Sequence, residues 1–207
     1  MQLTRNGVAG TVEVEPLAYE FGQLHTFRLR NLIAPELMKL LQERIAKSGW
    51  ETKGHQGIGV EVIPEDPLPI NILNFAANAP AFLDVVRRIT GYGEIIGFGG
   101  RVYRLATSEH YDSWHDDLAG ESRLVGMSVN LSPVPYDGGV FRLRARGTED
   151  VLRELPNTGL GDAIFFRISP ELQHMVTPII GAAPKTAFAG WFGADMSFRS
   201  KVLASER

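Results

Sequence analysis

The sequence predicts a mainly β protein with helices on one flank, an α+β chain whose strands form a sandwich or barrel. Three observations carry this. Clear helical patterns occur only in the N-terminal part. From Gly93 onward, short apolar runs are separated by Gly, Pro and Asp at close intervals. No internal repeat, low-complexity segment or linker divides the 207 residues, a length that suits one domain. The expected organisation is a single domain over 1–207, with N-terminal strands and supporting helices in 1–92 and the β core in 93–192.

Taken in order, Thr11-Val12-Glu13-Val14-Glu15 and Leu24-His25-Thr26-Phe27-Arg28-Leu29 alternate in polarity and predict two short strands with one wet face. His25 reads as an ordinary half-buried strand histidine. Pro35 suits a first helical turn. Leu37, Leu40, Leu41 and Ile45 recur at helical spacing, so a helix is expected from Pro35 to Gly49. Trp50 to Pro69 is rich in Pro and Gly and reads as loop. Within it, Gly54 to Gly59, around His55, has the composition of a lid or a surface loop. Asn78 as N-cap, Pro80 in the first turn, and Phe82, Leu83, Val86 and Ile89 on one face predict a second helix, closed by Thr90-Gly91. The expected strands that follow are Ile95–Phe98, Val102–Leu105, Arg123–Leu131, Val140–Leu143, Ala163–Arg167, His174–Ile179 and Thr186–Phe192. Gly138-Gly139 and Gly161-Asp162 read as turns.

Composition narrows the function. Apolar content of 44% and charged content of 22% are ordinary for a soluble globular protein. A net charge of -3 gives no argument for a nucleic-acid or membrane partner. With no cysteine, any metal must be held by His, Asp or Glu. No signal peptide is evident after Met1, and no stretch is long and apolar enough to span a bilayer, so a cytoplasmic location is expected.

The chemistry centres on Trp114-His115-Asp116-Asp117, read with His174. On a strand, residues two apart share a face, so His115 and Asp117 would project side by side. A second imidazole from another strand, His174, would complete a two-histidine, one-carboxylate facial triad, a donor set that suits non-heme Fe(II) and leaves positions open.

The order of further residues is specific. Tyr103, His115-x-Asp117, Asn130-Leu131-Ser132, Gly138-Gly139-x-Phe141, Gly161-Asp162, His174-x-Val176-x-Pro178, and Gly181 followed by Lys185 and Trp191-Phe192 together resemble the Fe(II)/2-oxoglutarate-dependent dioxygenase superfamily. More narrowly they resemble its prolyl-4-hydroxylase-like branch, over roughly Gly99 to Phe192. The resemblance implies a double-stranded β-helix (a cupin-like jelly roll), with Fe(II) as metal and 2-oxoglutarate and O2 as co-substrates. It implies that His115, Asp117 and His174 ligate iron, and that Lys185 pairs with the distal carboxylate of 2-oxoglutarate. It also implies co-substrate contacts from Tyr103 and, more weakly, Thr186. The implied reaction hydroxylates an unactivated C–H bond of a peptidyl, amino-acid-like or small-metabolite substrate and releases succinate and CO2. A carboxylate at Asp117 favours hydroxylation over halogenation, since related halogenases carry a small residue there.

Arg142, Arg144 and Arg146 alternate along one strand and form a positive stripe, read either as a solvated face or as an anionic-substrate contact. Tyr111 is a further substrate-side candidate, and His110 a rim residue. Two other readings stay open: a non-catalytic jelly-roll binding module, and a 2-oxoglutarate-independent metalloprotein of the cupin type.

Overall fold

The computed structural model describes residues 1–55, 59–106, 112–118, 122–156 and 159–195. Helical periodicity prevails over short alternation at the N-terminus. Val14, Leu17, Ala18 and Phe21 follow i, i+3, i+4, i+7, and Val14–Leu24 is helix α1, so Thr11–Glu15 is not the expected strand. Before it lies a small hairpin, β1 (Gln2–Thr4) with β2 (Gly7–Ala9). His25 stops α1 in the left-handed region at φ 59°, and β3 (Thr26–Leu29) follows, close to expectation. Helix α2 (Pro35–Lys47) and helix α4 (Pro80–Thr90) match their expected positions; Gly91, at φ 77°, caps α4 with its N–H on Arg87 O.

The stretch read as loop differs. Trp50–His55 and Gly59–Pro64 pair as a hairpin, β4 and β5, and Leu68–Ala77 forms helix α3. The lid expectation falls on 56–58 and the His55 side chain, which lie outside the described residues. Asn78 is not the N-cap of α4; that position belongs to Ala79. Asn78 closes α3 instead, and with Asn74, one turn earlier, it serves strand β6 (Gly97–Leu105). The Asn74 amide exchanges two hydrogen bonds of 2.8 Å with Gly100, and Asn78 exchanges bonds of 2.8 and 2.9 Å with Phe98. Each amide stands in for a neighbouring strand along a stretch of β6 where no β5 partner pairs.

The remaining strands are β7 (Asp112–His115), β8 (Arg123–Asn130), β9 (Asp137–Gly138), β10 (Phe141–Ala145), β11 (Val151–Leu155), β12 (Ala163–Arg167), β13 (Leu172–Val176), β14 (Ile179–Ile180) and β15 (Lys185–Gly193). The two strands expected at Ile95–Phe98 and Val102–Leu105 are one, and β11, with Val151 and Leu152 exposed, was not foreseen. Eleven strands make one antiparallel sheet in the order β11-β10-β13-β7-β5-β6-β15-β8-β12-β3, with β4 beside β5. The sheet closes on itself. Phe141 and Leu143 of β10 pack with Ile164 and Phe166 of β12, although these strands lie far apart in the order. This is the two-walled jelly roll, with one apolar layer inside and a larger one outside under the helices. Among the described residues no helix is long and apolar enough to cross a membrane.

Strand β15 divides its residues by parity. Phe188 and Phe192 join Phe82, Phe98 and Phe165 under the helices, while Lys185, Ala189 and Trp191 line the interior. Gly190 faces Gly100 across the ladder, and a Cβ there would land inside the Gly99–Gly100 backbone. Because backbone cannot rotate aside as a side chain can, Gly190→Ala is expected to destabilise the fold by about 1–3 kcal/mol or more, read by denaturant unfolding.

Candidate metal centre and its cavity

Antiparallel pairing of β7 with β13 sets His115 directly opposite His174, with ring centroids 4.2 Å apart. His115 Nδ1 lies 2.6 Å from Ser113 O. Donating its proton there leaves the Nε2 lone pair available as a ligand. His174 is buried against Phe141 and Phe166.

Asp117 reaches the pair by a route the strand argument did not contain. Strand β7 ends at His115, and Asp117 lies beyond it in the left-handed region at φ 59°. Asp116 shapes this turn by accepting from the Leu118 N–H at 3.1 Å and by binding Arg146. Asp tolerates left-handed backbone better than most residues. The result still brings the three side chains together. Asp117 Oδ1 lies 3.6 Å from His115 Nε2, and Oδ2 lies 3.2 Å from His174 Nε2. One ligand atom from each residue lies within 4.8 Å of the others, a group that could hold a metal ion. Burial works against ionisation of Asp117. The hydrogen bond and attraction of His174, the attraction of His115 and the Trp191 hydrogen bond outweigh it and hold the carboxyl well below the usual carboxylate range.

Two residues without an assigned role support Asp117. Trp191 Nε1–H donates to Oδ2 at 2.6 Å. The Arg123 guanidinium carbon sits over the Trp191 ring, 3.6 Å from its centroid, with Nη1 3.4 Å from Asp117 Oδ1. Trp191 was within reach of sequence reasoning, since it stands six residues after Lys185 and so on the same strand face. Arg123 was not. A bulge where Gly193 pairs with Arg123 skips Leu124, which packs under the helices, and so turns Arg123 inward. Trp191→Phe keeps the ring and removes the donor. It is expected to weaken divalent-metal affinity about 10-fold or more with little change in unfolding midpoint, measured by calorimetric titration.

The three side chains open onto a cavity of about 500 Å³. Its wall includes Tyr103, Leu105, Lys185, Glu61, Arg101, Arg123 and Trp191, with the Arg101 guanidinium 5.5 Å from the Tyr103 ring centroid and 5.6 Å from that of Trp191. Lys185 is only 1% exposed and donates to Gly139 O at 2.8 Å. The approach requires the bare glycine. Gly138 and Gly139 sit at φ 74° and 59°, and a Cβ on Gly139 would press on Lys185 Cδ at 3.0 Å.

Five of the expected site residues thus meet at one cavity: His115, Asp117, His174, Lys185 and Tyr103. Thr186 points to the other face of β15, where its hydroxyl accepts from Arg104 Nε at 3.1 Å and its N–H donates to Ser132 Oγ. Arg142 and Arg144 also lie away from the cavity, because on β10 Phe141 and Leu143 take the inner face. Arg142 pairs with Glu154 at 2.7 Å, and Arg144 covers the Trp114 ring while bonding Gln173 and Glu149. Their stripe lies on the outer face of β10, away from the cavity, with partners of its own. Tyr111 and His110 lie outside the described residues.

No family model and no curated protein sequence matches the chain. Its backbone is similar to solved structures along nearly its whole length. An oxidoreductase of the 2OG-Fe(II) oxygenase family from Burkholderia pseudomallei superposes with a TM-score of 0.68 at 16% identity, covering 94% of this chain and 96% of that one. A prolyl-4-hydroxylase from Pseudomonas putida gives 0.65 at 17% identity, over 88% and 99%. A prolyl hydroxylase from Trichoplax adhaerens, in complex with a hypoxia inducible factor oxygen degradation domain peptide fragment, gives 0.66 at 13%, over 94% and 92%. The chain shares the fold of these proteins.

Proposed function

We propose that this protein is a non-heme Fe(II)- and 2-oxoglutarate-dependent oxygenase that hydroxylates an unactivated C–H bond of an amino-acid-like, peptidyl or small-metabolite substrate. The observation that carries the reading is the convergence of His115, Asp117 and His174 on a cavity that a buried lysine, Lys185, also lines. The donors fit the metal. Two imidazole nitrogens and a carboxylate oxygen are the facial set that suits Fe(II), and cysteine is absent. When bound, Fe(II) with 2-oxoglutarate supplies O2 activation for C–H oxidation, with succinate and CO2 as the co-products.

The chain's own residues supply the rest. His115 and His174 would present Nε2 to the ion, and the Ser113 carbonyl fixes the His115 tautomer. Asp117 would present its carboxylate, aimed by Trp191 and Arg123. Lys185 would take the distal carboxylate of 2-oxoglutarate, with Tyr103 beside it. A cation this deep is costly unless an anion or dipole answers it. Phe141 and Phe166 press on His174 and keep water from that side.

Anaerobic titration with Fe(II) and then 2-oxoglutarate tests the reading. The expected result is a weak visible charge-transfer band that saturates with both. Absence of the band in folded protein overturns the oxygenase reading in favour of a binding module.

A further inference from the structure

The arginine stripe of β10 lies outside the cavity, yet its partners are the chain neighbours of the three metal-site residues. Strand parity turns Trp114, beside His115, and Gln173, beside His174, away from the cavity that the two histidines line. Arg144 holds both. It stands opposite Gln173 in the β10–β13 ladder, and its Nε and Nη2 donate to Gln173 Oε1 at 3.2 and 3.0 Å. Its guanidinium carbon lies 4.2 Å from the Trp114 ring centroid, one strand further along the sheet on β7. Its ion pair with Glu149, at 3.4 Å, adds little, because that carboxylate is 97% exposed.

Arg146 reaches the third residue in the same way. It binds Asp116, which precedes Asp117 and shapes the left-handed turn that Asp117 occupies. Arg146 Nε donates to Pro170 O at 2.5 Å, and its backbone N–H donates to Glu171 O at 2.7 Å. Those two carbonyls stand at the entry to β13, the strand of His174. Backbone pairing alone supports this corner thinly. Among the described residues, β7 pairs with β13 at His115 and at Asp112 with an irregularity between them, and with β5 at Asp112. Asp117 lies beyond the strand altogether. Ligand atoms must be held to about 0.5 Å, so segments this lightly laddered need support from side chains.

We infer that Arg144 and Arg146 are positioning residues of the metal centre. They form an outer brace that sets the strand of His115 and the turn of Asp117 against the strand of His174. They act through Trp114, Gln173 and Asp116, and neither lines the cavity. The inference rests on the reading of His115, Asp117 and His174 as metal ligands.

The test is calorimetric titration of Mn(II) into the full chain and into Arg144→Ala, Arg146→Ala and Arg142→Ala, each with a thermal melt. The first two are expected to weaken Mn(II) binding about 3–10-fold, less than the about 10–100-fold of a direct partner of a ligand. Arg142→Ala loses an ion pair to Glu154 on β11 and is expected to keep wild-type affinity. In the Co(II)-saturated proteins the visible d–d bands are expected to change in Arg144→Ala and Arg146→Ala and to stay in Arg142→Ala. A role in stability alone would lower the melting temperature and leave those bands unmoved. Asp116→Asn keeps an acceptor for the Leu118 N–H and loses the charge that Arg146 binds. Its cost is expected not to add to that of Arg146→Ala. Wild-type affinity and bands in both arginine variants overturn the proposal, as does an equal loss in Arg142→Ala; additive costs overturn it for Arg146. Asp116→Asn carries the test if an arginine variant fails to fold. An unaltered protein that binds no Mn(II) overturns the ligand reading itself, and the proposal falls with it.

Discussion

His174→Ala is expected to abolish metal binding while leaving a folded protein. The expected loss of affinity exceeds about 100-fold, because a direct ligand is removed where even supporting residues cost about 10–100-fold. The stability cost is smaller and has a separate origin. His174 is buried between Phe141 and Phe166, so truncation leaves a void and lowers the unfolding midpoint by a few degrees for a cost of about 1–2 kcal/mol. Calorimetric titration with Mn(II) and a thermal melt separate these effects. Succinate formation from 2-oxoglutarate is expected to vanish with the metal. Asp117→Ala should behave alike at the metal, and it also strips the acceptor from Trp191 Nε1–H and a contact from Arg123. An alanine variant at His174 that keeps wild-type metal affinity would remove the triad from the argument.

The legible and illegible parts of the site divide along one physical line. Residues on regular strands could be placed by parity alone. Lys185 and Trp191 on β15, and Tyr103 on β6, share the inner face as even spacing requires. His174 faces His115 because two antiparallel strands pair in that register. Parity fails wherever the ladder breaks. Asp117 lies past the end of β7 in a left-handed turn, so it meets the two histidines by a route other than strand parity. Arg123 faces inward only because of a bulge that no composition signals. Arg142 and Arg144 show the converse. Their alternation was visible, but which face looked inward depended on Phe141 and Leu143 meeting β12 from across the barrel. The N-terminal part was least legible. The i, i+4 pair Asn74 and Asn78 gains its meaning only when an unpartnered stretch of strand lies beside it.

Lys185→Met separates a 2-oxoglutarate enzyme from a metalloprotein that does not use this co-substrate. Methionine approximates the length and bulk of the lysine stem without its charge. The hydrogen bond to Gly139 O is lost, but so is the burden of a cation at 1% exposure, so stability should change by no more than about 1 kcal/mol. Metal affinity should stay near wild type, since Lys185 stands six residues before Trp191, the strand β15 residue that bonds Asp117. The KM for 2-oxoglutarate is expected to rise about 100-fold, roughly 3 kcal/mol, the range for removing one partner of a buried charge pair. Lys185→Arg keeps the charge but adds a planar head where Gly139 already leaves no room for a Cβ, so it should recover only part of the loss. The measurement is initial rate of succinate formation against 2-oxoglutarate concentration for the three proteins. If Lys185→Met retains its KM, the lysine does not hold the distal carboxylate. If a metal-dependent activity persists with no 2-oxoglutarate added, the cavity belongs to a cupin-type metalloprotein. In that case the buried cation at Lys185 would answer to Gly139 and to the protein's own interior alone.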